Sequence, residues 1–189
     1  MVAVAAAIAA PGASAGTRVD YKQMFTTSKP GTSTGTDTQL LYKNPNDPKA
    51  KPIPVRQEEF TFPSGTTYDE SVRGDCTASD LEIRLSMGSA CPASSWIGGS
   101  KGDTSMTGFG PGEDPLDVDG WDNHGELIVY GRSHQFPEIG AVARGHRVGQ
   151  TITIPIPTSP GGPPDGETAL RRIHHIFPAF SGLALVRTA

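Results

Sequence analysis

Glycine and proline are spread along the whole chain, and this limits the fold more than any other feature of the sequence. They account for 23 and 17 of the 189 residues, about 21% against roughly 12% in average usage. No stretch long enough for a helical bundle or coiled coil avoids both residues. Long helices are therefore disfavoured, because proline removes a backbone donor and glycine weakens a helix interior. The glycines have no three-residue period, which excludes collagen. Short strands joined by tight turns are what this pattern favours.

The net charge of the chain bears on its partners. Aspartate and glutamate outnumber lysine and arginine by 20 to 16, giving a net charge of −4. A protein that binds a phosphate backbone needs a basic surface, so the composition argues against a nucleic-acid partner. The sequence names no other partner.

The first fifteen residues have the pattern of a secretory signal peptide. Residues 1–15 carry no charge and end in Ala13-Ser14-Ala15, a small-x-small cleavage site. The basic residues that usually precede the apolar run are missing, and a flexible alanine-rich N-terminus is the alternative. The run is too short to cross a bilayer, which needs about 20 residues. We predict a secreted or cell-envelope protein whose mature chain begins at Gly16 and contains no transmembrane segment.

The chain has two cysteines, Cys76 and Cys91, fifteen positions apart. In an exported protein such a pair predicts one disulfide. A metal or redox site is the competing interpretation, and it lacks both a second pair of ligands and the Cys-x-x-Cys spacing.

The segment between the cysteines has the pattern of a short helix. Thr77, followed three residues later by Asp80, resembles an N-terminal capping arrangement. Leu81 and Leu85 share one helix face, and Gly88 suits a left-handed C-terminal cap. The helix has to be short, about two turns, because the chain must return to within about 7 Å for the disulfide to close.

Strand-like segments alternate with turn signals over the rest of the chain, and no internal repeat is present. Turn signals recur every 8 to 15 residues, a rhythm typical of a β-sandwich rather than of βαβ units. We therefore predict one mainly β domain over residues 16–177, an antiparallel β-sandwich with one short disulfide-stapled helix. The predicted strands cover residues 21–27, 38–43, 55–62, 105–109, 126–130, 139–144, 150–155 and 169–177.

The last segment, residues 178–189, is apolar and has no visible strand to pair with afterwards. An unpaired apolar edge is one that natural proteins normally cover or charge. We predict an atypical, truncated or frameshifted tail that packs poorly after Phe177. The alternative is a terminal strand that pairs inside the domain, with Phe180, Leu183 and Leu185 buried.

Two motifs flank the predicted helix: Cys76-Thr77-Ala78-Ser79-Asp80 and Ala90-Cys91-Pro92. Thr107-Gly108-Phe109-Gly110 and Gly161-Gly162-Pro163-Pro164 follow later in the chain. Together they resemble a family of uncharacterised exported proteins from actinobacteria, over about residues 31–166. The resemblance implies an envelope or extracellular protein, and it implies no activity, ligand or catalytic residue. Family members continue through further strands after the Gly-Pro-rich loop, where this chain departs from them.

The densest acidic stretch, residues 113–126, partly matches a calcium-binding loop. With Gly120 at the sixth position, Asp117, Asp119 and Glu126 fall at the third, fifth and twelfth. The first position is Pro115, which offers no carboxylate. We therefore favour a strand followed by a solvated hairpin turn over residues 122–125.

No other pattern predicts a metal, a cofactor or a catalytic residue. The adjacent His174 and His175 lie on a predicted strand, so their side chains point to opposite faces and cannot bind one metal together. Ser100 follows two glycines but lacks both the Gly-x-Ser-x-Gly elbow and the P-loop pattern. The aromatic residues Trp96 and Trp121 are expected in the core rather than on a carbohydrate-binding surface.

The sequence therefore predicts a non-catalytic exported protein that acts as a binding or structural module of unknown ligand. The alternative is an exported hydrolase with an active site assembled from loops. A pocket with convergent polar groups would be the feature that locates either function.

Overall fold

The computed structural model describes residues 18–27, 29, 32–47, 49–69, 73–107, 112–157, 168–179 and 183–185. The predicted signal peptide over residues 1–15 lies outside this part of the chain. No helix within the described residues is long and apolar enough to span a membrane.

Nine strands form one antiparallel sheet, in the spatial order β1-β3-β11-β6-β7-β8-β9-β10-β4. Their bounds are β1 Arg18–Phe25, β3 Thr36–Lys43, β4 Gln57–Thr61, β6 Trp96–Thr107, β7 Glu113–Asn123, β8 Glu126–Ser133, β9 Gly140–Val148, β10 Thr151–Pro155 and β11 Leu170–Phe177. All eight predicted strands overlap these elements, which confirms the mainly β prediction; residues 108 and 109 of the predicted strand 105–109 lie outside the described part of the chain.

The nine-stranded sheet is curled into a half-barrel. Tyr42 on β3 donates a hydrogen bond to Glu58 on β4, although these strands lie near opposite ends of the sheet. Phe60 on β4 makes an edge contact with His175 on β11, with ring centroids 6.3 Å apart. The predicted sandwich of two facing sheets is therefore wrong. Alternation along a strand shows that one face is buried, but not whether a second sheet or the same sheet covers it.

Three short strands form a second sheet in the order β2-β12-β5, with bounds β2 Thr32–Ser33, β5 Thr66–Tyr68 and β12 Leu183–Leu185. Strand β12 pairs with β2 on one side and β5 on the other, so this part of the apolar terminal segment has strand neighbours, as in the alternative considered from the sequence. A truncated tail that packs poorly after Phe177 stays a prediction. The burial of the side chains at Phe180, Leu183 and Leu185 lies outside what the structure describes.

A disulfide joins Cys76 to Cys91, with their Cα atoms 4.9 Å apart, as predicted. The short helix α1 spans Asp80–Leu85 between them. Its N-cap is Ser79, which forms a capping box with Glu82, so the predicted cap at Thr77 is two residues early. Serine with glutamate three residues on satisfies two backbone donors reciprocally, which Thr77 with Asp80 does not do here.

Helix α1 packs on the outer face of the half-barrel, with its one buried side chain directed at the sheet. Ile83 belongs to a cluster with the disulfide, Trp121, Ile128 and Tyr130, so the prediction that Trp121 lies in the core is confirmed. The helix ends in residues with positive φ, 53° at Met87 and 92° at Gly88. The predicted left-handed ending is confirmed, and it begins one residue earlier than Gly88.

Candidate functional site

A cavity of about 130 Å³ lies inside the half-barrel. Seven strands, β4 and β6 to β11, contribute to its wall. Most of the lining is aliphatic: Met106, Leu116, Val118, Val129, Ile139, Ala141, Ala143, Ile154, Ile156, Leu170 and Ile173. Cavities of comparable size with aliphatic walls hold a ligand of about one benzene ring.

The space exists because the inward positions of two adjacent strands carry very small side chains. Gly131 on β8 and Ala141 and Ala143 on β9 line the cavity, and Gly131 pairs directly with Ala141 across the two strands. A Cβ atom built on Gly131 would meet no described atom within 4 Å, apart from its chain neighbours. A side chain at this position would therefore extend into the cavity.

One carboxyl group faces this apolar space. Glu58 is only 6% exposed, and its Oε1 accepts a hydrogen bond of 3.1 Å from the Tyr42 hydroxyl. Burial raises the pKa of Glu58 to about 7, although the Tyr42 hydrogen bond opposes the shift. Burial, followed by the neighbouring Glu58 charge, raises the pKa of Tyr42 well above its ordinary value. Glu58 can therefore gain or lose a proton near neutral pH inside an apolar cavity.

The two adjacent histidines point to opposite sides of the sheet, as predicted. His175 lines the cavity, and burial, followed by the charge of His174, lowers its pKa to about 4. His174 points outwards, where its Nε2 lies 3.1 Å from Asp37 and its Nδ1 lies 3.5 Å from Asp103. At neutral pH the cavity therefore contains an uncharged imidazole.

The pKa values of Glu58 and His175 are shifted in opposite directions, so their contributions to the pH dependence of folding stability offset each other. Glu58 binds its proton more tightly in the folded state, so its contribution to stability is lost as the pH rises from about 4.5 to about 7. His175 binds its proton more weakly when folded, so its contribution is lost as the pH falls from about 6.5 to about 4.

Glu58→Gln removes the contribution of Glu58 to this pH dependence and leaves that of His175 in place. The difference in stability between the variant and the wild type therefore reports the Glu58 contribution alone. The free energy of unfolding of this variant, minus that of the wild type, should rise by on the order of 3 kcal/mol between pH 4.5 and pH 7. Urea unfolding across this range measures the difference. Glu59→Gln, on the other face of β4, is the matched control and should give a flat difference. A flat difference for Glu58→Gln as well would contradict the prediction.

The acidic stretch over residues 113–126 forms most of a hairpin rather than a calcium loop. Strands β7 and β8 pair up to Asn123 and Glu126, leaving His124 and Gly125 as a two-residue turn with φ of 51° and 82°. Positive φ at both positions is typical of a type I′ turn. The predicted hairpin is confirmed, with β7 extending further than expected.

The outward carboxylates of β7 pair with side chains on the neighbouring strands and on the residue that follows β8. Asp117 accepts from Arg132 at 3.1 Å and contacts His134 at 2.9 Å. Burial is the largest single effect and raises the pKa of Asp117. The contacts with His134 and Arg132 together outweigh it, so the pKa lies below its ordinary value. Within the described residues, no group of three or more histidine, cysteine, aspartate or glutamate side chains could hold a metal ion.

Ser100 lies within β6 rather than in a catalytic turn. Its hydroxyl lies 2.9 Å from the Thr104 hydroxyl, which also contacts the backbone of His174. Trp96, at the start of β6, is half-buried and donates from Nε1 to Asp119 at 3.0 Å. These contacts link β6 to the neighbouring strands β7 and β11.

The sequence contained a signal for the carboxyl group of this site. Residues 55–62 alternate with Phe60 and Phe62 on the buried face, and the same parity places Glu58 on that face. A glutamate on the apolar face of a strand is rarely buried without a partner. No comparable signal exists for Gly131, because a glycine within a strand pattern is equally compatible with a bulge. No protein-family model, curated protein or solved structure matches the chain.

Proposed function

We propose that this protein is a non-catalytic binding module that holds a small, largely apolar ligand inside its half-barrel. The observation that carries the proposal is the open space at Gly131, where an added Cβ atom would meet no described atom within 4 Å outside its chain neighbours. Protein interiors are normally packed to the density of organic crystals, and a strand residue left without a side chain beside an aliphatic wall preserves room for a ligand.

The polar groups of the cavity are few, as in most small-molecule sites, where one or two fix the orientation of the ligand. Glu58 and the His175 imidazole supply them here. The hydroxyl of Ser133 donates to Asp114 at 2.5 Å and accepts from the backbone N–H of Phe136, and these contacts attach the residues after β8 to β7. We therefore favour ligand binding over the hydrolase alternative.

Export is part of the proposal and rests on the sequence. Residues 1–15 have the signal-peptide pattern, and the disulfide is of a kind that persists in oxidising compartments. The resemblance to exported actinobacterial proteins points the same way. A small apolar ligand held outside the cell or at its envelope fits these features, and the net charge of −4 supports no nucleic-acid role.

Binding of cyclohexanol tests the proposal, because its size suits the cavity and its hydroxyl can meet Glu58. Calorimetry and ligand-observed NMR should show saturable binding to the wild type. Gly131→Leu should weaken it at least tenfold by occupying the cavity. His146→Leu places the same side chain on the exposed outer face of β9 and should bind as the wild type does. Equal binding to wild type and Gly131→Leu, or no saturable binding of cyclohexanol or of an amine, hydrocarbon or carboxylate with the same ring to either, would overturn the proposal.

A further inference from the structure

The chemistry of the cavity wall narrows the class of ligand. Glu58 contributes the only carboxyl group among the described lining residues, which include neither lysine nor arginine. Within the described structure its side-chain hydrogen-bond partner is the Tyr42 hydroxyl, at 3.1 Å. A carboxylate has two oxygens and about four acceptor positions, so one hydroxyl leaves most of this capacity unused.

An ionised carboxylate in an apolar environment is unfavourable unless a positive group or several donors compensate it. A protonated amine supplies both, with three N–H donors around one charge. Hydrogen bonds between an ammonium and a carboxylate are about twice as strong as those between neutral groups. The aliphatic wall around Gly131 and Ala143 suits a hydrocarbon body attached to that amine.

Resting on the proposed function, we propose that the cavity selects a small hydrophobic primary amine, with its ammonium group paired to Glu58 and its hydrocarbon body against the wall formed by β8 and β9. His175 favours the same ligand class because its imidazole is uncharged near neutral pH and one ring nitrogen can accept a hydrogen bond. A carboxylic acid ligand would place a second negative charge beside Glu58 and is disfavoured.

The proton on Glu58 makes this selection depend on pH. The titratable groups facing the cavity near Glu58 are Tyr42 from β3 and His175 from β11. The lining residues of β6 to β10 are aliphatic, hydroxyl-bearing or glycine, and Asp114 on β7 accepts from Ser133 and from the Gln135 backbone. Tyr42 and His175 stay neutral between pH 5.5 and 8.5, because their pKa values lie above and below this range. Glu58 is the group that changes charge.

Four molecules of nearly equal shape separate the possibilities: cyclohexylamine, cyclohexanol, methylcyclohexane and cyclohexanecarboxylate. At pH 8 the amine is protonated, like a lysine side chain with a pKa near 10.4. It should bind the wild type at least tenfold more tightly than the alcohol. Its affinity should fall at least tenfold between pH 8.5 and 5.5, as Glu58, with its pKa of about 7, takes up a proton.

Glu58→Gln should bind amine and alcohol within threefold of each other, and Tyr42→Phe, which keeps the carboxylate, should retain the preference for the amine. If cyclohexanol, methylcyclohexane or the carboxylate binds the wild type as tightly as the amine, the inference is wrong while the proposed function stands. If none of the four binds saturably, the proposed function itself fails. The wild-type comparison decides the outcome even if Glu58→Gln does not fold.

Discussion

Replacing both Cys76 and Cys91 by alanine is expected to lower the free energy of unfolding by about 4 kcal/mol. Closing a loop of this length accounts for roughly 3 kcal/mol in the chain-entropy model. Both sulfur atoms are also buried, with Cys76 fully inaccessible and Cys91 7% exposed, and their loss adds about 1 kcal/mol of packing. For a chain of this size the melting temperature should fall by about 8–16 °C.

The effect is large because helix α1 depends on its attachment. A helix of six residues is unstable by itself, and this one contributes a single buried side chain, Ile83, to the cluster beneath it. The disulfide holds both ends of the segment, and Arg144 adds a second attachment by donating to Asp80, Glu126 and the carbonyl of Ala78. Without the disulfide, Trp121 and Tyr130 would lose part of their cover.

Urea unfolding with and without dithiothreitol measures this contribution. Reductant should bring the wild type close to the double variant and leave the double variant unchanged. Ser89→Ala, an exposed position within the same loop, controls for substitution in the loop itself. A double variant within about 1 kcal/mol of the wild type, or freely alkylated thiols in the native protein, would contradict the prediction.

Most strands of the nine-stranded sheet could be predicted because they carry a local two-residue pattern. In β3 every second residue is buried, from Thr36 to Tyr42, and this alternation is visible in the sequence. The turn at His124 and Gly125 could be predicted for a similar reason, since a short polar turn between two apolar runs constrains the backbone locally. The start of helix α1 was predicted two residues early, because the N-cap was assigned to Thr77 instead of Ser79.

The half-barrel could not be predicted, because its closure depends on contacts between residues distant in sequence. The hydrogen bond between Tyr42 and Glu58 and the contact between Phe60 and His175 bring together segments 16 and 115 residues apart. Nothing local distinguishes a strand that faces a second sheet from one that faces its own sheet. The cavity follows from this closure, so the residues that form it carry no motif.

Residues 96–104 of β6 were missed for the opposite reason: their sequence argues against a strand. Gly98 and Gly99 lack side chains to pack and weaken a strand interior. A Cβ atom on Gly98 would meet the backbone of Ile176 on β11, and one on Gly99 would meet the backbone of Val118 on β7. Gly99 pairs with Ile176 on one side and Asp119 on the other, beside irregularities in both registers. Glycine is present here because there is no space for anything larger.

Gly99→Val is therefore expected to lower the free energy of unfolding by at least about 4 kcal/mol. A Cβ atom at Gly99 would overlap the carbonyl oxygen of Val118 and lie 3.1 Å from the Cα atom of Asp119. Both are backbone atoms of a central strand, so relief requires β6 and β7 to separate. Overpacking typically costs 1–3 kcal/mol. We expect a larger loss for Gly99→Val because backbone atoms, rather than a flexible side chain, block the space.

Gly131→Val makes the same change on β8, two strands away, where the added atoms enter the cavity. It should leave the free energy of unfolding unchanged or raise it by up to about 1 kcal/mol, because valine favours a strand and restricts the unfolded chain. Urea unfolding of both variants measures the contrast. A difference above about 4 kcal/mol between the two variants would show that Gly99 occupies a closed position and Gly131 an open one in the same sheet. Equal destabilisation would mean that β8 is packed as tightly as β6 and that no cavity exists.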